Sequence, residues 1–194
     1  MSLVAMGSRR QLGTHVMNLL HALRQEVFVK RLKRSLPIVN GVERDQYDTA
    51  DAKYVVVSDG PDRVKACARL LPTTAAYMLQ DLYPQLLGGS APPRDPAIWE
   101  LSRFAPGVRA TREGRVLSLS KSTLELLDLI FECARRHNTS RLIFVSSVQM
   151  ERLLLRAGIP VHRMAAPAAV NGALSVALFI EITPKLSAEP TVTT

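Results

Sequence analysis

The sequence predicts one mixed α/β domain, a twisted sheet flanked by helices, and three observations carry that expectation. The chain has 194 residues, 47% hydrophobic and 22% charged, a globular composition with enough apolar mass for one sizeable core. Apolar residues recur at helical spacing in two long segments. Around them lie short apolar, β-prone runs bounded by Gly, Pro, Asp and Asn, which read as strands. The order is helix, three strands, helix, strand, helix, strand, and a sheet with helices on both faces accommodates it.

Met1 to Gln11 has no continuous apolar core, so it does not read as a secretory signal. Thr14 is the expected N-cap of a first helix running to about Arg31, along which Val16, Leu19, Leu20, Leu23, Val27 and Phe28 recur mostly three and four apart. Leu36 to Thr49 reads as an irregular loop with Pro37, Asn40-Gly41 and several acids. Lys53 to Ser58 and Arg63 to Leu71 are expected as an antiparallel hairpin around Asp59-Gly60-Pro61-Asp62, with Pro72 ending it. Ala75 to Leu82 is expected as a short helix, Gly88 to Pro96 as a loop, and Ile98 to Phe104 as a third strand broken by Pro106-Gly107. Ser118 to His137 carries an amphipathic pattern in Leu119, Thr123, Leu126, Leu127, Ile130, Phe131 and Ala134. Arg141 to Ser146 reads as a strand and Val148 to Ala157 as a helix closed by Gly158 and Pro160. Ala173 to Ile182 reads as the last strand. The domain spans 1–186, and Ser187 to Thr194 is a Ser/Thr/Pro-rich tail expected to be flexible.

Composition narrows the function. No stretch is long and apolar enough to cross a bilayer, so a cytoplasmic protein without a membrane partner is expected. Cys67 and Cys133 read as buried thiols, and His15, His21, His137 and His162 lack metal-ligand spacing, so no metal is expected. The net charge of +8 favours an acidic partner: a nucleic acid, a phosphate-bearing cofactor or an acidic protein. The basic residues recur in clusters at Arg31 to Arg34, Arg109 to Lys121, Arg135 to Arg141 and Arg152 to Arg156. Few aromatics and no R-G-F-x-F strand weigh against nucleic acid.

Three constellations could carry chemistry. Arg24 and Phe28 lie one helical turn apart on one face, suited to a substrate with an anionic group and a flat or cationic part. Glu43-Arg44-Asp45-Gln46-Tyr47-Asp48 places three acids in six positions, able to hold an amine or a sulfonium, though taken alone it reads first as a solvated loop. In Ile98-Trp99-Glu100-Leu101-Ser102-Arg103-Phe104, strict alternation separates Glu100 from Arg103, whereas a β-bulge between them unites the two on one side. An acid in so apolar a strand needs a partner or a task, and Arg69 in the preceding strand is a candidate partner.

Together these segments resemble the LuxI-type acyl-homoserine lactone synthases. The matching strings are R-Q-E-V-F-V-K-R-L at Arg24 to Leu32, E-R-D-Q-Y-D at Glu43 to Asp48, A-R-L-L-P-T-T at Ala68 to Thr74, M-L at Met78-Leu79 and W-E-L-S-R-F at Trp99 to Phe104. The family's hallmark residues fall on Arg24, Phe28, Asp45, Asp48, Arg69, Glu100 and Arg103. One position departs: where the family carries a Trp associated with the S-adenosylmethionine pocket, this chain has Arg34, which can stack on an adenine ring. The element order is also similar to that of the GNAT-type N-acetyltransferase fold.

The resemblance implies an enzyme that acylates the amine of S-adenosylmethionine from an acyl thioester, then closes the lactone and releases 5′-methylthioadenosine. The carrier is acyl carrier protein or coenzyme A. S-adenosylmethionine is a substrate, and no permanently bound cofactor or metal is implied. Glu100, Arg103 and Arg69 are the implied catalytic set, with Glu100 as base. Arg24, Phe28, Arg34, Asp45, Asp48 and Arg103 are expected to bind S-adenosylmethionine. Leu101, Ser102, Phe144 and Val148 are expected to line the acyl pocket between the sheet and the later helices, beside Leu119, Leu126 and Leu153. Phe144 stands where relatives with 3-oxo chains carry Thr, which points to an unsubstituted, short or branched chain. A monomer is expected. Two other readings stay open: a coenzyme A-dependent N-acetyltransferase, disfavoured because no pyrophosphate loop follows Phe104, and a basic nucleic-acid-binding module, which leaves W-E-L-S-R-F unexplained.

Overall fold

The computed structural model describes residues 2–105, 108–110 and 116–183. Strand β1 (Ser2–Ser8) leads into helix α1 (Arg9–Arg24), whose continuation over Gln25–Arg31 is π-helical. The short strands β2 (Ile38–Val39) and β3 (Val42–Glu43) precede β4 (Lys53–Asp59) and β5 (Val64–Pro72). Helix α2 (Met78–Leu82) and a 3-10 turn at Pro84–Leu87 lead to β6 (Ile98–Ala105). Then come β7 (Val108–Ala110), β8 (Val116–Leu119), α3 (Lys121–Arg136), β9 (Arg141–Ser147) and α4 (Val148–Arg156). The chain closes with β10 (His162–Arg163), β11 (Ala168–Val170) and β12 (Ala173–Glu181).

The main sheet runs β1-β4-β5-β6-β9-β12-β10, with β11 also on β12. Its pairs are antiparallel except β6 with β9, which are parallel, so the sheet is mixed as expected. Its two faces bury separate apolar clusters. Val55, Val57, Ala68, Leu70, Leu101, Phe144 and Leu178 face α3 and α4. Tyr54, Val56, Cys67, Leu71, Ile143 and Ala177 face α1 and α2. Alternation along β4 and β5 persists although nearly every position is buried, because helices cover both faces. Cys67 and Cys133 are buried free thiols.

Several boundaries differ from the sequence expectation. Strand β1 was not anticipated: Leu3 and Val4 are about half exposed, so the strand is held by its ladder with β4 rather than by an apolar face. Helix α1 begins at Arg9, where Ser8 and Gln11 form a capping box. Gly13 (φ 76°) interrupts it, and regular helix resumes at Thr14. The expected end near Arg31 holds, but Leu32 N–H reaches five residues back to Val27 O, the signature of the wider helix. The segment read as an irregular loop contains a tight hairpin, since Asn40 (φ 52°) and Gly41 (φ 79°) both adopt the left-handed region that a two-residue turn demands. Leu119 belongs to β8 rather than to the amphipathic helix, because Ser120 accepts from Thr123 N–H and fixes the start of α3. Pro106-Gly107, Arg112, Arg115, the side chain of Arg109 and the tail from Ser187 lie outside the described residues.

Helix α4 offers a clean test of capping. Ser147 Oγ accepts from Met150 N–H at 3.2 Å. Ser147→Ala should lower stability by about 1 kcal/mol, read as a reduced urea midpoint with an unchanged m-value.

Candidate active site

Three arginines and three carboxylates converge beneath α1. Arg24 projects from the end of α1, Arg69 from β5 and Arg103 from β6. Glu43 ends β3, and Asp45 and Asp48 lie in the loop that follows it. Arg24 pairs with Glu43 through Nε and with both oxygens of Asp48 at 2.7 and 3.1 Å. Arg69 pairs with Asp45 and with Asp48 at 2.9 Å, and its Nε donates to Ser102 Oγ at 3.1 Å. Arg103 pairs with Glu43 at 3.0 Å and Asp45 at 2.6 Å. Arg24 and Arg69 are 0% exposed, so their charges are sustained by these carboxylates and not by water.

The bulge that the sequence left open is present. The register between β5 and β6 shifts after Arg69↔Ser102, and Arg103 sits at φ 49°. Glu100, Ser102 and Arg103 therefore share the face that carries Arg69, while Trp99 and Leu101 point to the opposite cluster. A non-glycine residue held at positive φ stores strain that its surroundings must support. Here the Glu43 and Asp45 bonds hold it, and Phe28 lies 5.7 Å from the guanidinium.

Glu100 is 1% exposed and caps α2, accepting from Met78 N–H at 3.0 Å and Leu79 N–H at 2.6 Å. Burial pushes its carboxyl up to about 7, although the two backbone N–H groups and the charges of Arg69 and Arg103 pull the other way. Asp48 goes in the opposite direction. Burial alone would raise it, but the bonds and charge of Arg24, with Arg69, hold it well below the usual carboxylate range. The six ion-paired groups cancel in charge, so ionised Glu100 makes the site net negative. A carboxyl poised near neutrality beside these ion pairs can take a proton from an ammonium and give it up again. Met78 Sδ lies 3.3 Å from Arg69 and 3.4 Å from Arg103, closing the apolar side.

The family model of the autoinducer synthases matches residues 9–186. The chain belongs to the autoinducer synthase family. An acyl-homoserine-lactone synthase of Ralstonia solanacearum is 41% identical over 163 residues, 82% of this chain and 78% of that one. The Aliivibrio fischeri synthase is 39% identical over 143 residues, 74% and 73% of the two chains. Among solved structures, the AHL synthase LasI has a TM-score of 0.82 at 31% identity, covering 94% of this chain and 91% of that one. TofI, in a ternary complex with an inhibitor and MTA, has a TM-score of 0.76 at 37% identity, covering 93% and 91%. The coenzyme A-dependent synthase BjaI, solved with SAM and isopentyl-CoA, has a TM-score of 0.79 at 26% identity, covering 94% and 84%. A putative N-acetyltransferase of Lactobacillus plantarum shares the fold, with a TM-score of 0.61 at 19% identity over 94% of this chain and 99% of that one. The expected fold and family both hold, and this synthase is an acyltransferase that makes an acyl-homoserine lactone signal.

In this synthase the expected residues do not all meet. Arg24, Asp45, Asp48, Arg69 and Arg103 form the ion cluster, with Phe28 and Glu100 against it. Arg34 is exposed, and its backbone N–H donates to Phe28 O. Leu101, Phe144 and Val148 pack in one cluster with Leu126 and Leu154 of the later helices. Ser102 parts from those three, because strand alternation turns it toward Arg69. Glu43 was not singled out, yet it is 0% exposed and joins Arg24 to Arg103. Tyr54 was missed as well; its hydroxyl donates to Asp48 at 3.0 Å. Among the described residues no helix is long and apolar enough to cross a membrane, and no acid, His or Cys group is arranged for a metal.

Proposed function

We propose that the synthase acylates the α-amine of S-adenosylmethionine with an acyl thioester and lactonises the product. In the first step the amine nitrogen bonds to the thioester carbon, the carbon–sulfur bond breaks, and the thiol leaves. In the second the methionyl carboxylate attacks its own γ-carbon and 5′-methylthioadenosine departs as a neutral thioether. One observation supports this reading above the others: a buried carboxyl held near pH 7, Glu100, beside three fixed arginines and three fixed carboxylates. Glu100 takes the ammonium proton, directly or through one water. Arg24 and Arg103 draw the carboxylate of the substrate, and Asp45 and Asp48 favour its sulfonium and ammonium charges. Arg69 organises the two aspartates, and Phe28 packs against the substrate's flat part. TofI has been solved with MTA and BjaI with SAM, which agrees with the same substrate here.

Leu101, Phe144 and Val148 take the acyl chain, with Ser102 at its mouth. Phe144 is 6% exposed, fills volume in that cluster and offers no hydroxyl, so an unsubstituted, short or branched chain fits. Either an acidic acyl carrier protein or coenzyme A suits the basic surface, which includes exposed Lys121, Arg152 and Arg156. Supplying S-adenosylmethionine with a panel of both donors, straight and branched, and identifying products by mass spectrometry tests the reading. The result expected is one preferred short or branched acyl-homoserine lactone; acylated S-adenosylmethionine without lactone would remove the second step. Phe144→Val should shift the product distribution toward longer chains by widening the same space, which the same mass spectra read.

A further inference from the structure

A second groove has a volume of about 370 Å3 and is lined by Arg9, Asn18, His21, Val39, Asn40, Val42 and Arg44. His21 is 4% exposed. Its Nδ1 is 3.0 Å from the Glu43 carbonyl, an acceptor only, so Nδ1 carries the ring proton. That assigns Nε2 as a bare acceptor, and it is buried without a partner. A buried polar atom with no partner is uncommon in a finished core. Burial and the charge of Arg24 both keep this imidazole neutral. Arg9 and Arg44 line the same groove, and among the described residues neither guanidinium has a carboxylate partner. The first turn of α1 carries no acid that would neutralise Arg9. Asn18 and Asn40 add amides, and Val39 and Val42 add apolar walls.

These groups ask for one kind of molecule. Two free guanidiniums call for an anion, and they grip phosphate well. A neutral imidazole acceptor calls for a hydroxyl or amine donor on the same molecule. The groove is within the size range of small-ligand sites. We infer that this groove is a second ligand site, taking a compact phosphate monoester whose organic part carries a hydroxyl group, with the phosphate between Arg9 and Arg44 and the hydroxyl donating to His21 Nε2. The imidazole then touches both sites, since its other nitrogen holds the strand residue that joins Arg24 to Arg103. The inference is independent of the acyl donor and chain proposed above.

Titration calorimetry on the full chain with ribose 5-phosphate tests it, with inorganic phosphate and saturating methylthioadenosine as comparison arms. Saturable binding is expected, at least about tenfold tighter than for inorganic phosphate and unaffected by methylthioadenosine. Arg9→Ala/Arg44→Ala and His21→Asn should each weaken it about tenfold or more. His21→Asn keeps an N–H for the Glu43 carbonyl while removing Nε2, and the arginine pair remains a test if the buried variant does not fold. No saturable binding, equal affinity for inorganic phosphate, displacement by methylthioadenosine, or unchanged binding in the arginine double variant would each overturn the site.

Discussion

Glu100→Gln should lower kcat by about a hundredfold or more while leaving the protein at least as stable as wild type at pH 8. The two halves of this result have one cause. Burial raises the Glu100 carboxyl to about 7 in the folded chain. In the unfolded chain it titrates near an ordinary glutamate, about 4.3. Between those values the native state binds more protons than the unfolded state, so stability falls as pH rises through the window. Above pH 7 the whole penalty applies, on the order of 3 kcal/mol for a shift of this size. Gln carries no charge and escapes it, losing in exchange part of the cap on Met78 and Leu79 N–H. Thermal unfolding of both proteins at pH 5 and pH 8 reads the effect: the variant's relative gain should be full at pH 8 and shrink to roughly a third of that at pH 5. The rising limb of the wild-type rate profile, centred near pH 7, should disappear with the carboxylate. Full activity in the variant would strip Glu100 of its role as base.

Asp48→Ala should destabilise the fold by about 3–5 kcal/mol, the cost of breaking buried ion pairs by removing one partner. Asp48 accepts two bonds from Arg24, one from Arg69, one from Tyr54 and one from the backbone of Asp45. Removing it leaves Arg24 with Glu43 and Arg69 with Asp45 in a region closed to water. Against a total stability of about 5–15 kcal/mol for a domain, the variant should unfold at a far lower urea concentration. The pH dependence has the reverse sign to that of Glu100. A carboxyl held below its unfolded value contributes stability above about pH 4, and that contribution is lost as pH falls through the depressed folded value. The Asp48 pairings should therefore persist in mild acid. A loss under about 1 kcal/mol would match exposed ion pairs and contradict a sealed cluster.

Much of the scaffold was legible because periodicity reports burial. The β-prone runs at Lys53 to Ser58 and Arg63 to Leu71 became β4 and β5 within a residue or two at each end, and the stop signal at Gly158 ended α4. Strand β1 was not legible, since its ladder with β4 leaves no apolar pattern in Ser2–Ser8. The site was legible only in part. Strand alternation alone separates Glu100 from Arg103, and one residue at positive φ reverses that conclusion. No local pattern announces a bulge of this kind, so the W-E-L-S-R-F string left it open, and only the resemblance put Glu100 and Arg103 in one site. Glu43 shows the same limit: six residues containing three acids do not tell that all three turn inward, and Glu43 gets there from β3, behind the hairpin turn at Asn40-Gly41. Arg34 shows the converse, a position chosen by correspondence with a Trp whose side chain here stands in solvent.

The most direct test of the synthase mechanism is the stoichiometry of the two products in one reaction. Purified protein, S-adenosylmethionine and the preferred acyl thioester are mixed, and acyl-homoserine lactone and methylthioadenosine are quantified over the same time course. Equal amounts rising together at every point are predicted, because lactone closure is the step that expels methylthioadenosine. Acylated product without methylthioadenosine would contradict the account and turn the chain into a simple N-acyltransferase on the same fold.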